Sequence, residues 1–157
     1  MQTIFIPLLA GGLVAALVYA IWTDVRARVI PNPLIAGIAL AAPLWWWASG
    51  IAPWPGVAVQ IAVGGVALLI FMGAFAIGAM GGGDVKLIAA LGLWLVPPDF
   101  LQMIVWMSIG GGLLTIGMMI WHRLRKPEGP LEIPYGVAIA VATIPLFTQR
   151  YLYHFGR

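Results

Sequence analysis

Six long apolar runs, separated by proline, glycine and a few charges, constrain this chain more than any other feature. They fall at about residues 4–23, 33–49, 56–79, 85–96, 100–121 and 134–150. The first run is twenty residues without a charge, and at 1.5 Å per residue a helix of that length reaches about 30 Å, the thickness of a bilayer's hydrocarbon core. Of the 157 residues 62% are hydrophobic and 8% charged, where a soluble domain carries roughly a quarter charged. A soluble fold of this size could not cover so much apolar surface. Lipid solvates it instead, and forces each spanning segment to satisfy its own backbone as a helix or within a closed barrel. The runs are long and do not alternate, so they read as helices. The expected fold is an all-α polytopic integral membrane protein with about six transmembrane helices, forming a single membrane-embedded domain over residues 1–157.

Punctuation refines this reading. In Ile30-Pro31-Asn32-Pro33, Pro31 excludes Ile30 from the helical region, while Asn32 can cap a helix with Pro33 in its first position, so a tight turn is expected. With the N-terminus outside, the connections at 24–32, 80–86 and 122–133 lie inside and hold Arg26, Arg28, Lys86, Arg123, Arg125 and Lys126. Only Arg150 and Arg157 remain outside, and six against two follows the positive-inside rule. Trp45, Trp46, Trp47, Trp54 and Trp94 then fall near the outer interface, Trp22 and Trp121 near the inner one, with Trp106 in mid-helix. The fourth run, residues 85–96, reaches only about 18 Å before Pro97-Pro98. Its glycine turn is therefore expected to dip below the cytoplasmic surface, placing Asp84 on the membrane side of the inner phosphate plane.

The composition also excludes chemistry. With no cysteine there are no disulfides, thiolate metal sites or cysteine nucleophiles. A net charge of +3 gives nucleic-acid binding no support. Residues 1–4 lack the basic segment of a secretory signal, so the first run is expected to be a retained helix. Two histidines make a metal site using Asp24, Asp84 and His122 a poor expectation, and no metal or cofactor is anticipated.

There are five acidic residues. Asp99, after Pro97-Pro98, reads as a helix N-cap, and Glu128 and Glu132 as solvated charges in a loop with basic neighbours. Asp24 and Asp84 differ, because each lies where a membrane helix meets the same side of the bilayer, so folding can unite them across sixty residues. Taken singly, Asp24 could pair with Arg28 one turn on, and Asp84 could cap its own helix. Gly81-Gly82-Gly83 before Asp84 argue for more, since three glycines serve close backbone approach or positive φ rather than a simple cap. Two close carboxyls share a proton, which lets one activate water while the other protonates a scissile carbonyl.

The stretch from Asp24 to Asn32 (Asp-Val-Arg-Ala-Arg-Val-Ile-Pro-Asn), the run Gly81-Gly82-Gly83-Asp84-Val85-Lys86, and Pro134-Tyr135-Gly136 together resemble the type IV prepilin peptidases. These are GxGD aspartic peptidases of bacterial membranes, and the closest likeness is to the short tight-adherence, or Flp-pilus, type. The resemblance implies that Asp24 and Asp84 are the catalytic pair. It also implies a prepilin or pseudopilin substrate, cut at the cytoplasmic face of the inner membrane just after a glycine that precedes the pilin's hydrophobic helix. Larger members carry an N-terminal region with paired cysteines and methylate the new pilin N-terminus; no such region or activity is expected here.

On this resemblance Lys86 occupies the basic position after the motif, where it could stabilise the dyad, contact an acidic pilin residue, or anchor to lipid headgroups. Gly81, Gly82, Gly83, Asn32, Pro134, Tyr135 and Gly136 are expected to shape the site. Gly64-Gly65 and Gly110-Gly111-Gly112 are expected to permit close helix packing. The alternative is a small ion- or proton-coupled transporter or channel using the same aspartates, and a further one is a non-catalytic scaffold. Neither accounts for three such motifs in order.

Overall fold

The computed structural model describes residues 2–125 and 133–155. Six helices occur in order, α1 Gln2–Ala27, α2 Asn32–Ala48, α3 Ala58–Ala76, α4 Gly82–Gly92, α5 Pro97–Arg125 and α6 Tyr135–Phe155, with no strand among the described residues. The chain is thus all-helical, as the unalternating apolar runs require. Three stretches, Ile4–Ala27, Pro53–Ala76 and Pro97–Arg125, are long and apolar enough to cross a membrane. Lys126, Glu128, Glu132 and Arg157 lie outside the described residues.

The 28–33 turn is tight, though built differently from the sequence expectation. Arg28 takes a left-handed conformation (φ 54°) and its N–H bonds the Asp24 carbonyl at 3.0 Å, which closes α1 with a device usually given to glycine or asparagine. Pro31, not Asn32, is the N-cap of α2, and Asn32 already lies in the helix. Its side chain is thereby released from capping.

Packing makes α4 the centre. It contacts α2, α3, α5 and α6, while α1 lies between α2 and α6, and α5 packs along α6. With 11 residues, about 16 Å at 1.5 Å each, α4 is even shorter than the 85–96 segment expected. Seven of the eleven are buried, including Leu87, Ile88 and Leu91. A helix ending this early leaves free carbonyls among apolar neighbours, where each unsatisfied group is costly. Two side chains take them up. The Gln60 amide, 2% exposed, donates to the Leu95 and Gly92 carbonyls at 2.7 and 3.2 Å, and Trp46 Nε1 donates to the Leu93 carbonyl at 2.7 Å.

Glycine sets the α3–α4 distance. A Cβ on Gly92 would stand 2.8 Å from Gly64 Cα, and one on Gly64 would stand 2.9 Å from the Ala89 carbonyl oxygen. Gly111 likewise lies beneath the Tyr135 ring, whereas Gly65 and Gly112 face open space, so only one member of each pair or run makes the close contact expected of all.

At the end of the bundle away from the aspartates, Trp45, Trp94 and Phe147 form a buried cluster with centroids 5.2–6.1 Å apart. Trp94 Nε1 donates to the Ile38 carbonyl at 2.9 Å. Trp45 and Trp94 therefore tie the core together, whereas Trp47 and Trp54 are exposed. Asp99 is not an N-cap. The helix begins two residues earlier, and Asp99 pairs with Arg150 Nη1 at 3.0 Å, joining α5 to α6.

Candidate active site

Because successive helices alternate direction, the end of α1 and the starts of α2, α4 and α6 share one end of the bundle. Asp24, near the end of α1, is 5% exposed. No ion pair with Arg28 forms among the described residues. Its Oδ2 accepts the Val137 N–H at 3.2 Å, with the Gly136 N–H also directed at the carboxylate. Those donors belong to the first turn of α6, whose unsatisfied N–H groups and positive dipole end suit an anionic side chain.

This approach requires glycine at 136. A Cβ there would lie 2.7 Å from Ile30 Cδ1, 2.8 Å from Asp24 Oδ2 and 3.1 Å from Asp24 Cγ. Pro134 is buried and supplies a carbonyl to the Val137 N–H at 3.2 Å, while Tyr135 packs on Gly111. These two set the start of α6 without lining the cleft.

Asp84 occupies the third helical position of α4, whose N-cap is Gly81. Gly82 and Gly83 are accordingly the first helical residues rather than a turn. From this position the Asp84 carboxylate reaches back to the Gly81 N–H, the geometry of half a capping box. None of the three glycines has positive φ, so close approach explains them. A Cβ on Gly81 would stand 2.9 Å from Asp84 Oδ2, one on Gly82 3.3 Å from the Phe75 ring, and one on Gly83 3.3 Å from Ile30 Cβ.

Ile30 was not singled out in the sequence, yet it wedges between Gly83 and Gly136 and spaces the two helix starts. Its only signal was the Pro that follows it. Val137, which gives Asp24 its hydrogen bond, lies one residue beyond the motif.

Asp24 and Asp84 face a shared cleft of about 350 Å³, lined also by Arg28, Asn32, Lys86 and the three glycines. Lys86 Nζ donates to Asn32 Oδ1 at 3.0 Å. Arg28 lines the cleft, whereas Arg26 stacks over Trp22, 5.3 Å from the ring centroid. Asp84 lies outside the three long apolar spans, and its carboxyl is pushed up to about 7, by burial first and then by the charge of Asp24, against the lowering effect of the Gly81 N–H. Two buried carboxyls in one cleft, one of them holding its proton to near-neutral pH, can together offer an acid and a base. Among the described residues no three His, Cys, Asp or Glu side chains group to hold a metal.

Comparison with known proteins adds a family. Residues 11–116 match the type IV leader peptidase family, a stretch that includes both aspartates and stops short of Pro134-Tyr135-Gly136. The chain is 27% identical over 138 residues to a prepilin leader peptidase/N-methyltransferase of Bacillus subtilis (strain 168), covering 83% of this chain. It spans about half the length of that relative, 51%. No solved structure matches the chain.

Proposed function

On the premise that the chain belongs to the type IV leader peptidase family, we propose that it is a membrane aspartic endopeptidase that removes the leader of a prepilin or pseudopilin, with Asp24 and Asp84 as its dyad. The observation that carries this reading is the convergence of two buried carboxyls, sixty residues apart in sequence, on one polar cleft. On the sequence likeness, the substrate is of the tight-adherence pilus type. The cleft opens to the cytoplasmic face of the inner membrane, as the Lys and Arg distribution favours.

The dyad holds one proton between two carboxyls and positions water against the scissile carbonyl carbon. As the water oxygen bonds to that carbon, its proton passes to the carboxylate, and the carboxyl proton passes to the carbonyl oxygen, giving a neutral diol. Collapse of the diol breaks the C–N bond: the dyad's single proton goes to the departing amine while one diol hydroxyl gives its proton to the other carboxylate, so the new carboxylic acid leaves and the dyad again holds one proton. The pair titrates as a unit, so acid and base belong to the dyad rather than to fixed residues. Gly81, Gly82 and Gly83 leave room for an extended substrate backbone beside the carboxyls. Lys86 and Asn32 shape the cleft's edge.

The test is cleavage of a purified prepilin by the wild type, Asp24→Asn and Asp84→Asn. Each variant is expected to insert and fold but to lose cleavage, because each removes a protonation state that the dyad needs. Normal processing by either variant would falsify the mechanism.

A further inference from the structure

The cleft continues into a groove. α2 and α3 both pack on α4, and between them an open apolar trough of about 450 Å³ has α4 as its floor. Asn32 and Lys86 line both the cleft and this trough. Two other apolar grooves, between α5 and α6 and between α1 and α2, share no lining residue with the cleft. From Asn32 to Ala39 the trough runs about 10 Å, nearly two helical turns. Its walls carry Ala36, Ala39 and Gly65 and its floor Ala89, small residues that let another helix's backbone come close.

We propose that this α2–α3 trough docks the apolar helix that follows the scissile bond of the substrate, with Lys86 and Asn32 at the junction between helix and cleft. The proposal rests on the prepilin-processing reading above and says where that substrate's helix lies. A chain whose cut site must reach the dyad while its apolar helix stays in lipid has to leave the cleft along a membrane-facing surface, and this trough shares Asn32 and Lys86 with the cleft. Lys86, exposed and bonded to a neutral amide at 3.0 Å, is free to exchange Asn32 for an acidic side chain on the arriving helix.

Gly65 gives the test, because it lines the trough and a Cβ there meets nothing within 4 Å, so a large side chain fills the groove without displacing the fold. Gly37, in the α1–α2 groove, is equally open and serves as the control. For a prepilin in proteoliposomes, Gly65→Phe is expected to raise KM about tenfold, the equivalent of losing one buried aliphatic contact, with kcat nearly unchanged. Gly37→Phe is expected to leave both parameters at wild-type values. Equal KM for the two variants overturns the proposal, as does a fall in kcat alone.

A second measurement does not depend on turnover. Prepilin carrying a photo-reactive residue two helical turns beyond the scissile bond is mixed with the Asp84→Asn protein and irradiated. Cross-links to α2 and α3 are expected. Cross-links to α5 and α6, to a second copy of this chain, to lipid alone, or to nothing, overturn the docking proposal whether or not the wild type cleaves. Absence of cleavage by the wild type counts instead against the peptidase reading.

Discussion

Gly136→Ala isolates the contact that positions Asp24. The added methyl would stand 2.8 Å from Asp24 Oδ2 and 2.7 Å from Ile30 Cδ1, where ordinary contact begins at 3.4 Å. Asp24 and Ile30 must each retreat by roughly half an ångström, and the 3.2 Å bond from the Val137 N–H is the first to stretch. Over-packing of this kind costs about 1–3 kcal/mol, whereas glycine to alanine in an unhindered helix stabilises by roughly 0.5–1 kcal/mol. A net loss of about 1–2 kcal/mol is expected, opposite in sign to the propensity effect. The catalytic effect should be larger, because misplacing a reacting group by about 1 Å can cost on the order of a hundredfold in rate. The assay pairs thermal unfolding in detergent with single-turnover cleavage of a prepilin, and Gly37→Ala, whose Cβ meets nothing within 4 Å, serves as the comparison. Cleavage should fall about ten- to a hundredfold at a temperature where the variant is folded. A Gly136→Ala protein that is both more stable and fully active would refute the reasoning.

The raised titration of Asp84 predicts a pH effect with a defined sign. Its carboxyl holds a proton to about 7 in the folded chain and to the ordinary 3.8 when unfolded, so the folded state binds more protons between those values and stability falls as pH rises from about 4 to about 7. Unfolding measured across that range should show the slope in the wild type and a shallower one in Asp84→Asn. The same titration should place the alkaline limb of cleavage near pH 7, and a rate still flat above pH 8 would contradict it. Gln60→Leu removes the donor to two buried carbonyls at the end of α4 and should lower stability by about 1–3 kcal/mol, read from unfolding in detergent. A Leu variant as stable as wild type would mean that those carbonyls find other donors.

The apolar runs located the six helices of the described residues, because long unalternating apolar segments have little choice in lipid but to be helical. The meeting of Asp24 and Asp84 at one end followed from helix alternation alone. Less visible was whatever depends on which helix face meets which neighbour. Trp45 and Trp94 read as interfacial by position, yet helix packing encloses them, and no periodicity distinguishes those faces in runs that are apolar all round. Gln60 was not singled out in its apolar run, since its partners are carbonyls freed only because α4 stops early. Asp84 was legible as a residue near a helix start, but its place at the third position depends on Gly82 and Gly83 being helical, against their propensity. Ile30 carried no signal beyond the proline that follows it, because a wedge between two glycines exists only once both helices are in place.

The hydrogen bond from Val137 to Asp24 spans 113 residues. A ribosome delivers both aspartates well before it delivers that donor, and a nascent chain that has inserted α1 through α4 holds the two carboxyls without the helix start that fixes one of them. The cleft is therefore finished only when α6 docks on α1. Arrival of α6 becomes the event that assembles the site, so a nascent chain that has not yet docked it lacks a positioned pair.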